Sequence, residues 1–299
     1  MNEVIIGVPA TSANLGPGFD CLALALDLWN TTSFRLGGDG IQVTVNGEGS
    51  DILPKDTGNL VAQGFTALYV RREATMPRDV QIECNNLIPL ASGLGSSAAA
   101  VLSGLLAANF FLGQPLSRLE ILRLAVEVEG HADNAAAALF GGLVVVAADM
   151  NPPVVKSFPI EPVNLVVVLP CYNLSTNAAR SVLPKQVSRA EAVFNLGRAA
   201  LVVEALKEGN RKLLLRVMED RLHQPHRLGL IPGAAKAIAA AQRLGCASAL
   251  SGAGPGVIAF ADDDAEMVAD AMQAEFRAAG LESRCFFLTA TTQTARWYG

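Results

Sequence analysis

The 299-residue sequence predicts an α+β protein of two domains. Three observations lead there. Apolar runs of strand length and apolar stripes of helical spacing are mixed without the regular strand–helix–strand alternation of a doubly wound sheet. Prolines cluster in Asn151-Pro152-Pro153 and Pro159-Ile160-Glu161-Pro162, between two apolar strands, which marks a boundary. Beyond that cluster the pattern starts again, so the division falls at 1–158 and 159–299. A hydrophobic content of 51% is ample for a core in each half.

Taken in order, Val4–Val8 is the first strand. Thr32–Leu36 and Ile41–Val45 follow as a pair separated by the turn residues Gly37-Gly38-Asp39-Gly40. Val61, Phe65 and Leu68 share one side of a helix over Asn59–Val70. Val80–Cys84 alternates like a strand and feeds a glycine-rich loop, which breaks into a long apolar helix over Ala98–Leu112. Leu119–Val128 is an amphipathic helix, Ala135–Phe140 a short one stopped by Gly141-Gly142, and Leu143–Ala147 a buried strand. After the boundary come strand Leu165–Leu169, helices in Arg189–Glu208 and Arg211–Asp220, and helix Ala234–Leu244. Strands Ser248–Leu250 and Val257–Ala261, helix Ala265–Ala279 and strand Cys285–Leu288 complete the reading.

Composition excludes several functions. The net charge is −5, without a basic face, so nucleic acid is not the expected partner. Cys21, Cys84, Cys171, Cys246 and Cys285 are odd in number, widely spaced and free of C-x-x-C, and read as core thiols in a reducing compartment. The cysteines and the three histidines show no zinc-like spacing. No stretch reaches the roughly 18 unbroken apolar residues of a membrane span, and the N-terminus lacks a basic segment followed by an apolar one. A cytoplasmic protein without membrane contact is expected. The oligomeric state stays open, a homodimer included.

The segment Pro89-Leu90-Ala91-Ser92-Gly93-Leu94-Gly95-Ser96-Ser97 is suited to gripping phosphate. Glycines let backbone N–H groups approach an anion. The helix start behind them presents unpaired N–H groups and the positive end of its dipole. Ser96 and Ser97 add hydroxyls for a phosphate oxygen and a bridging Mg2+. Gly93–Ala98 also satisfies G-x-G-x-x-A, but the residues about 20 positions on are Gly113-Gln114-Pro115-Leu116-Ser117, with the first acid at Glu120. No Gly-Lys-Ser/Thr follows, so this is not a Walker A loop.

Two further motifs stand far from this loop: Pro9-Ala10-Thr11-Ser12-Ala13-Asn14-Leu15-Gly16-Pro17-Gly18-Phe19-Asp20 and Ser251-Gly252-Ala253-Gly254-Pro255-Gly256. Glu129-Gly130-His131-Ala132-Asp133-Asn134 leads into Leu139-Phe140-Gly141-Gly142, and Arg227 precedes Leu228-Gly229-Leu230-Ile231-Pro232-Gly233. Together and in this order they resemble the GHMP small-molecule kinases, over residues 5 to 260 or so. The resemblance implies a ribosomal-S5-like N-terminal domain and a ferredoxin-like C-terminal domain. It implies ATP and Mg2+. The first motif is similar to the branch that phosphorylates the side-chain hydroxyl of L-homoserine on the path to threonine.

By this resemblance the loop Pro89–Ser97 cradles the nucleotide, and Ser97 and Glu129 share the Mg2+. Glu127, two positions upstream, stays an alternative ligand. Asn134 joins Ser97 and Glu129 as a catalytic residue. The acceptor residues carried over are Asn14, Asp20, His131, Asn134, Thr176, Arg180, Arg227 and Gly254. Their chemistry suits a zwitterion, with Asp20 for the ammonium and the two arginines for the carboxylate. Asn14 and Asn134 each donate and accept, as holding a hydroxyl requires. His131 is either a base or an orienting imidazole, whereas His223 and His226 are read as surface residues or as groups backing the site.

Two departures stand out. Asp133-Asn134 is followed by Ala135-Ala136-Ala137 where the family often has Val-Ala-Pro, which favours a straighter helix start. The first motif has no lysine, so the Lys/Asp pair of several relatives is not supported and direct proton loss to the γ-phosphate is expected. The alternatives are a GHMP kinase for mevalonate, a sugar or a cytidyl-erythritol, none of which carries an ammonium, and a non-catalytic sensor. A sensor would be marked by loss of Ser97 or the metal-binding glutamate.

Overall fold

A computed structural model describes residues 2–298. Strands β1 (Glu3–Ala13) and β2 (Leu22–Leu36) pair antiparallel, with a register shift between Pro9 and Ala10. The shift falls beside a residue that has no amide hydrogen to give to the ladder. Strand β3 (Ile41–Gly47) leads to helix α1 (Leu60–Arg71), capped by the Asn59 side chain, and then to β4 (Val80–Asn86). β4 lies parallel to β3 and antiparallel to β2. Helices α2 (Ser96–Phe111), α3 (Arg118–Glu129) and α4 (Asp133–Phe140) follow, then strands β5 (Leu143–Ala147) and β6 (Val154–Phe158).

The sequence then passes through β7 (Asn164–Pro170), α5 (Thr176–Ser181), α6 (Arg189–Lys207), α7 (Arg211–Val217), α8 (Gln224–Leu228) and α9 (Ala234–Arg243). It ends with β8 (Ala247–Leu250), β9 (Val257–Phe260), α10 (Ala265–Ala278), β10 (Ser283–Thr289) and β11 (Arg296–Tyr298). Among the described residues one sheet has the order β11-β1-β2-β4-β3, with β5 pairing β2 and β6. The other, antiparallel sheet has the order β10-β7-β9-β8. One core gathers around Phe34 and Phe65 under α1 and α2, and the second around Val166, Val168 and Phe276 under α9 and α10.

The predicted α+β class stands, and the differences from the sequence reading have local causes. β2 starts ten residues before Thr32, because Leu22–Leu26 is buried on both faces between β1 and β5 and shows no alternation. β1 runs on to Ala13, five residues past the predicted Val8, so Pro9–Ala13 of the first motif is strand. β6 lies within the proline-flanked stretch read as a boundary, and β11 returns the C-terminal residues to the first sheet beside β1. Among the described residues, no helix is long and apolar enough to cross a membrane.

Candidate active site

Three segments remote in sequence are knotted together at one end of α2. Thr11 N–H donates to the Leu94 carbonyl (3.1 Å), and Gly252 N–H to the Ala13 carbonyl (3.0 Å). The Ser251 hydroxyl donates to the Gly93 carbonyl (2.8 Å); with its one hydrogen so used, it accepts from Ser12 (2.9 Å). Asn14 Nδ2 donates to the Gly252 carbonyl (2.8 Å), and its Oδ1 accepts the Asp20 amide (2.9 Å). The glycines are needed for contact. A Cβ on Gly93 would stand 2.0 Å from the Ser251 carbonyl oxygen, and one on Gly95 2.2 Å from Thr11 Oγ1.

Gly93 (φ 80°) and Gly95 (φ 74°) turn the loop through the left-handed region into α2. Gly95 is the N-cap and offers no side chain, so the first amides of a sixteen-residue helix stay available to an anion. The cleft in front of them has a volume of about 350 Å³. Of the predicted loop residues, Leu90, Ala91, Ser92, Gly93, Gly95, Ser96 and Ser97 line it. Pro89 and Leu94 do not: both are buried, Leu94 in the first core, and Pro89 accepts the Ser92 hydroxyl through its carbonyl. They shape the loop from behind.

Leu53, Pro54, Asn59, Leu60 and Asn86 line the cleft together with a set of charged and further polar groups. Asn14, His131, Asn134, Thr176, Arg180, Arg227 and Gly254 all line it. Asn134 is held by Thr11, whose hydroxyl donates to its Oδ1 at 2.8 Å. Asp20 is not on the lining. Its carboxylate is taken by Arg180 in a bidentate pair of 2.8 and 3.1 Å, which only the close approach of α5 to the first motif creates. Arg180 keeps a buried Nε without a partner among the described residues. Arg227 is 1% exposed.

Glu129 faces the cleft beside the Ser97 hydroxyl, whereas Glu127 is exposed and 4.0 Å from Arg123. Burial pushes the Glu129 carboxyl up to about 7, with Ser97 opposing and Asp133 adding to the rise. A half-buried carboxylate short of positive charge, next to a hydroxyl at the phosphate-binding helix end, is a hard oxygen donor set that fits Mg2+. His131 is half-buried and its pKa is lowered, first by burial and then by Arg180.

Asp133, part of the His-Ala-Asp-Asn motif, is a site residue that the sequence reading does not assign. It lines the cleft from the first turn of α4, 3% exposed, and burial pushes its carboxyl up to about 6. An acid in the motif His-Ala-Asp-Asn was the available signal, but nothing in the spacing says it is buried. His223, expected at the surface or backing the site, is wholly buried behind the arginines, while His226 is exposed. Gln224, also missed, fastens α8 by accepting the Leu250 amide at 2.7 Å.

A glycine loop at an uncapped helix start, facing paired acidic and basic groups across one cleft, defines a small-molecule kinase, and comparison with known proteins agrees. The GHMP kinases N terminal domain matches residues 59–142 and the GHMP kinases C terminal domain residues 202–278; the chain belongs to the GHMP kinase family. Within that family it belongs with the homoserine kinases. It is 40% identical over 285 residues to the homoserine kinase of Carboxydothermus hydrogenoformans, covering 95% of this chain and 93% of that protein. It is 42% identical over 291 residues to that of a Synechococcus strain, covering 96% and 95%. The crystal structure of homoserine kinase from Cytophaga hutchinsonii superposes with a TM-score of 0.87 at 30% identity, covering 100% of this chain and 98% of that one.

Proposed function

We propose that this protein transfers the γ-phosphoryl group of ATP to the side-chain hydroxyl of L-homoserine, giving ADP and O-phospho-L-homoserine on the path to threonine. The observation that carries this reading is the charge pattern of the cleft. Asp133 and Arg227 on its wall, with the Asp20–Arg180 pair at its edge, complement an ammonium and a carboxylate one carbon apart. The setting is the cytoplasm, and the two units are residues 1–158 and 159–299.

The amides of Ser96 and Ser97 and the loop ahead of them bind the nucleotide phosphates at the positive end of α2. Leu53, Pro54, Leu60 and Asn86 accommodate the rest of the nucleotide. Ser97 and Glu129 would hold Mg2+, which when bound neutralises phosphate charge. Arg180 and Arg227 take the acceptor's carboxylate and Asp133 its ammonium, while Asp20, off the lining, orients Arg180 through their bidentate pair. Thr176, His131 and Gly254 shape the acceptor end. Asn14 and Asn134, stapled by Gly252 and Thr11, hold the hydroxyl toward the phosphate-binding amides.

Phosphoryl transfer asks for positioning and charge stabilisation rather than covalent catalysis. The acceptor oxygen bonds to the γ-phosphorus as the bond to the ADP oxygen breaks, and the hydroxyl proton leaves to a phosphate oxygen. ADP release coupled to a reporter, with homoserine, threonine, mevalonate and galactose offered in turn, tests the reading. Homoserine is expected to be turned over well above the others; equal or better turnover of mevalonate or galactose overturns it.

A further inference from the structure

Arg227 is held in an unusual way for a buried cation. Its Nε donates to the Ala179 carbonyl at 3.1 Å, and Nη1 to His223 Nδ1 at 3.2 Å and the Gly252 carbonyl at 3.4 Å. Among the described residues these acceptors are all neutral, whereas Arg180 at the edge of the same cleft is matched by the carboxylate of Asp20. We infer that His223 is a positioning residue for Arg227: it holds the guanidinium through a neutral acceptor and leaves the positive charge for the substrate carboxylate. The inference rests on the reading of this cleft as the homoserine site.

The ring's surroundings select one tautomer. His223 Nε2 lies 2.8 Å from the Gly16 carbonyl oxygen and 3.5 Å from Asp220 Oδ2, and both can only accept. Nε2 therefore carries the hydrogen. Arginine can only donate, so Nδ1, facing Arg227, must keep its lone pair. Two independent neighbours thus demand the same neutral form.

The ring is also closely packed. It is wholly buried and stacks on Phe19 at 5.2 Å and 22°. The same Phe19 ring underlies the guanidinium groups of Arg227 at 5.2 Å and Arg180 at 5.9 Å. Asp220 anchors the backbone beneath by accepting the amides of Leu222, His223 and Gln224. It also accepts Asn195 Nδ2 at 2.7 Å, and Asn195 reaches the Pro17 carbonyl. A carboxylate in place of His223 would hold Arg227 as firmly but neutralise it, and a protonated imidazole would repel it.

Two substitutions separate the roles of the two ring nitrogens. His223→Asn keeps an acceptor oxygen where Nδ1 stands; His223→Gln keeps a donor where Nε2 stands and has none at Nδ1. For each, kcat/KM is measured with homoserine and with 3-amino-1-propanol, which lacks the carboxylate, together with KM for MgATP and Tm. The expected result is that Gln raises KM for homoserine about tenfold and narrows the preference for homoserine to a similar extent, with KM for MgATP within about twofold. Asn recovers most of that loss. In an Arg227→Met background the Gln substitution adds less than about threefold, because its target is gone.

The opposite order, with Gln keeping the preference and Asn losing it, would overturn the inference and leave His223 as a fastener of the Gly16 loop. Equal losses for both acceptors overturn it too. Wild type without any preference for homoserine would instead refute the substrate reading itself. Should the Gln variant not fold, heteronuclear NMR of the histidine ring nitrogens in the wild type decides: the inference requires His223 Nδ1 without hydrogen at neutral pH, and a protonated Nδ1 overturns it.

Discussion

Removing the carboxylate from the acceptor perturbs the cleft where its two arginines differ most. Arg227 is 1% exposed and, among the described residues, makes hydrogen bonds to neutral acceptors alone, so an acceptor without a carboxylate leaves a buried guanidinium facing a ligand with no anionic group. Leaving a buried charge without its partner costs about 2–5 kcal/mol. The Arg180 side chain is 35% exposed and already paired with Asp20, so its share is reduced by solvent to about 1 kcal/mol or less. A total near 3 kcal/mol corresponds to a fall of about 150-fold in kcat/KM for 3-amino-1-propanol relative to homoserine. The same asymmetry makes Arg227→Met more damaging to homoserine than Arg180→Met, and the preference should nearly vanish in the former. The assay is ADP release with both acceptors, for wild type and both variants. Wild type within about threefold for the two acceptors would refute the amino-acid assignment; Arg180→Met as severe as Arg227→Met would refute the burial argument.

Glu129→Gln should lower kcat by about 100-fold or more if this carboxylate holds the charge-neutralising ion, while exposed Glu127→Gln stays near wild type; the reverse result would move the ligand two residues upstream. Because burial raises Glu129 to about 7, part of the free protein carries that proton at neutral pH, and binding of MgADP should release it. Calorimetry in two buffers of different ionisation heat measures the release, which must disappear in Glu129→Gln. His131→Gln should retain turnover, down about 10–100-fold through disturbed positioning; complete loss, with loss of one limb of the pH profile, would make it a base. Burial holds the His223 imidazole below its ordinary 6.5, so the unfolded chain takes up the proton first and stability is lost as pH falls below 6.5. Relative to His223→Gln, the wild type should lose stability to urea between pH 7.5 and 5; a pH-independent difference would refute the neutral burial of this ring.

What could be read from sequence was what is encoded locally. The glycines of 93–95 and the apolar run behind them specify left-handed turns and a helix start within a few residues, and both are found. Ser117 and Ser188 each open a helix with a glutamate three residues on, capping boxes that the sequence reading did not use. β6 and the first half of β2 escaped because exposure erases or burial on both faces flattens the period-two signal on which strand reading depends. α5, which brings Thr176 and Arg180 to the cleft, is only six residues long and carries no periodic stripe at all.

The motif residues by themselves determined the reaction class and most of the cleft lining, because phosphate binding and zwitterion recognition each require particular donor and acceptor types. Tertiary structure alone decided their electrostatic state. Asp20 became an ion-pair partner of Arg180, 160 residues away, instead of part of the lining; buried Asp133 and half-buried Glu129 became acids of raised pKa; and His223 became the neutral support of Arg227 through Gly16, 207 residues distant. Charge, tautomer and pKa depend on desolvation and on neighbours within a few ångströms, and for these residues the neighbours are set by how the sheets and helices pack rather than by positions along the chain.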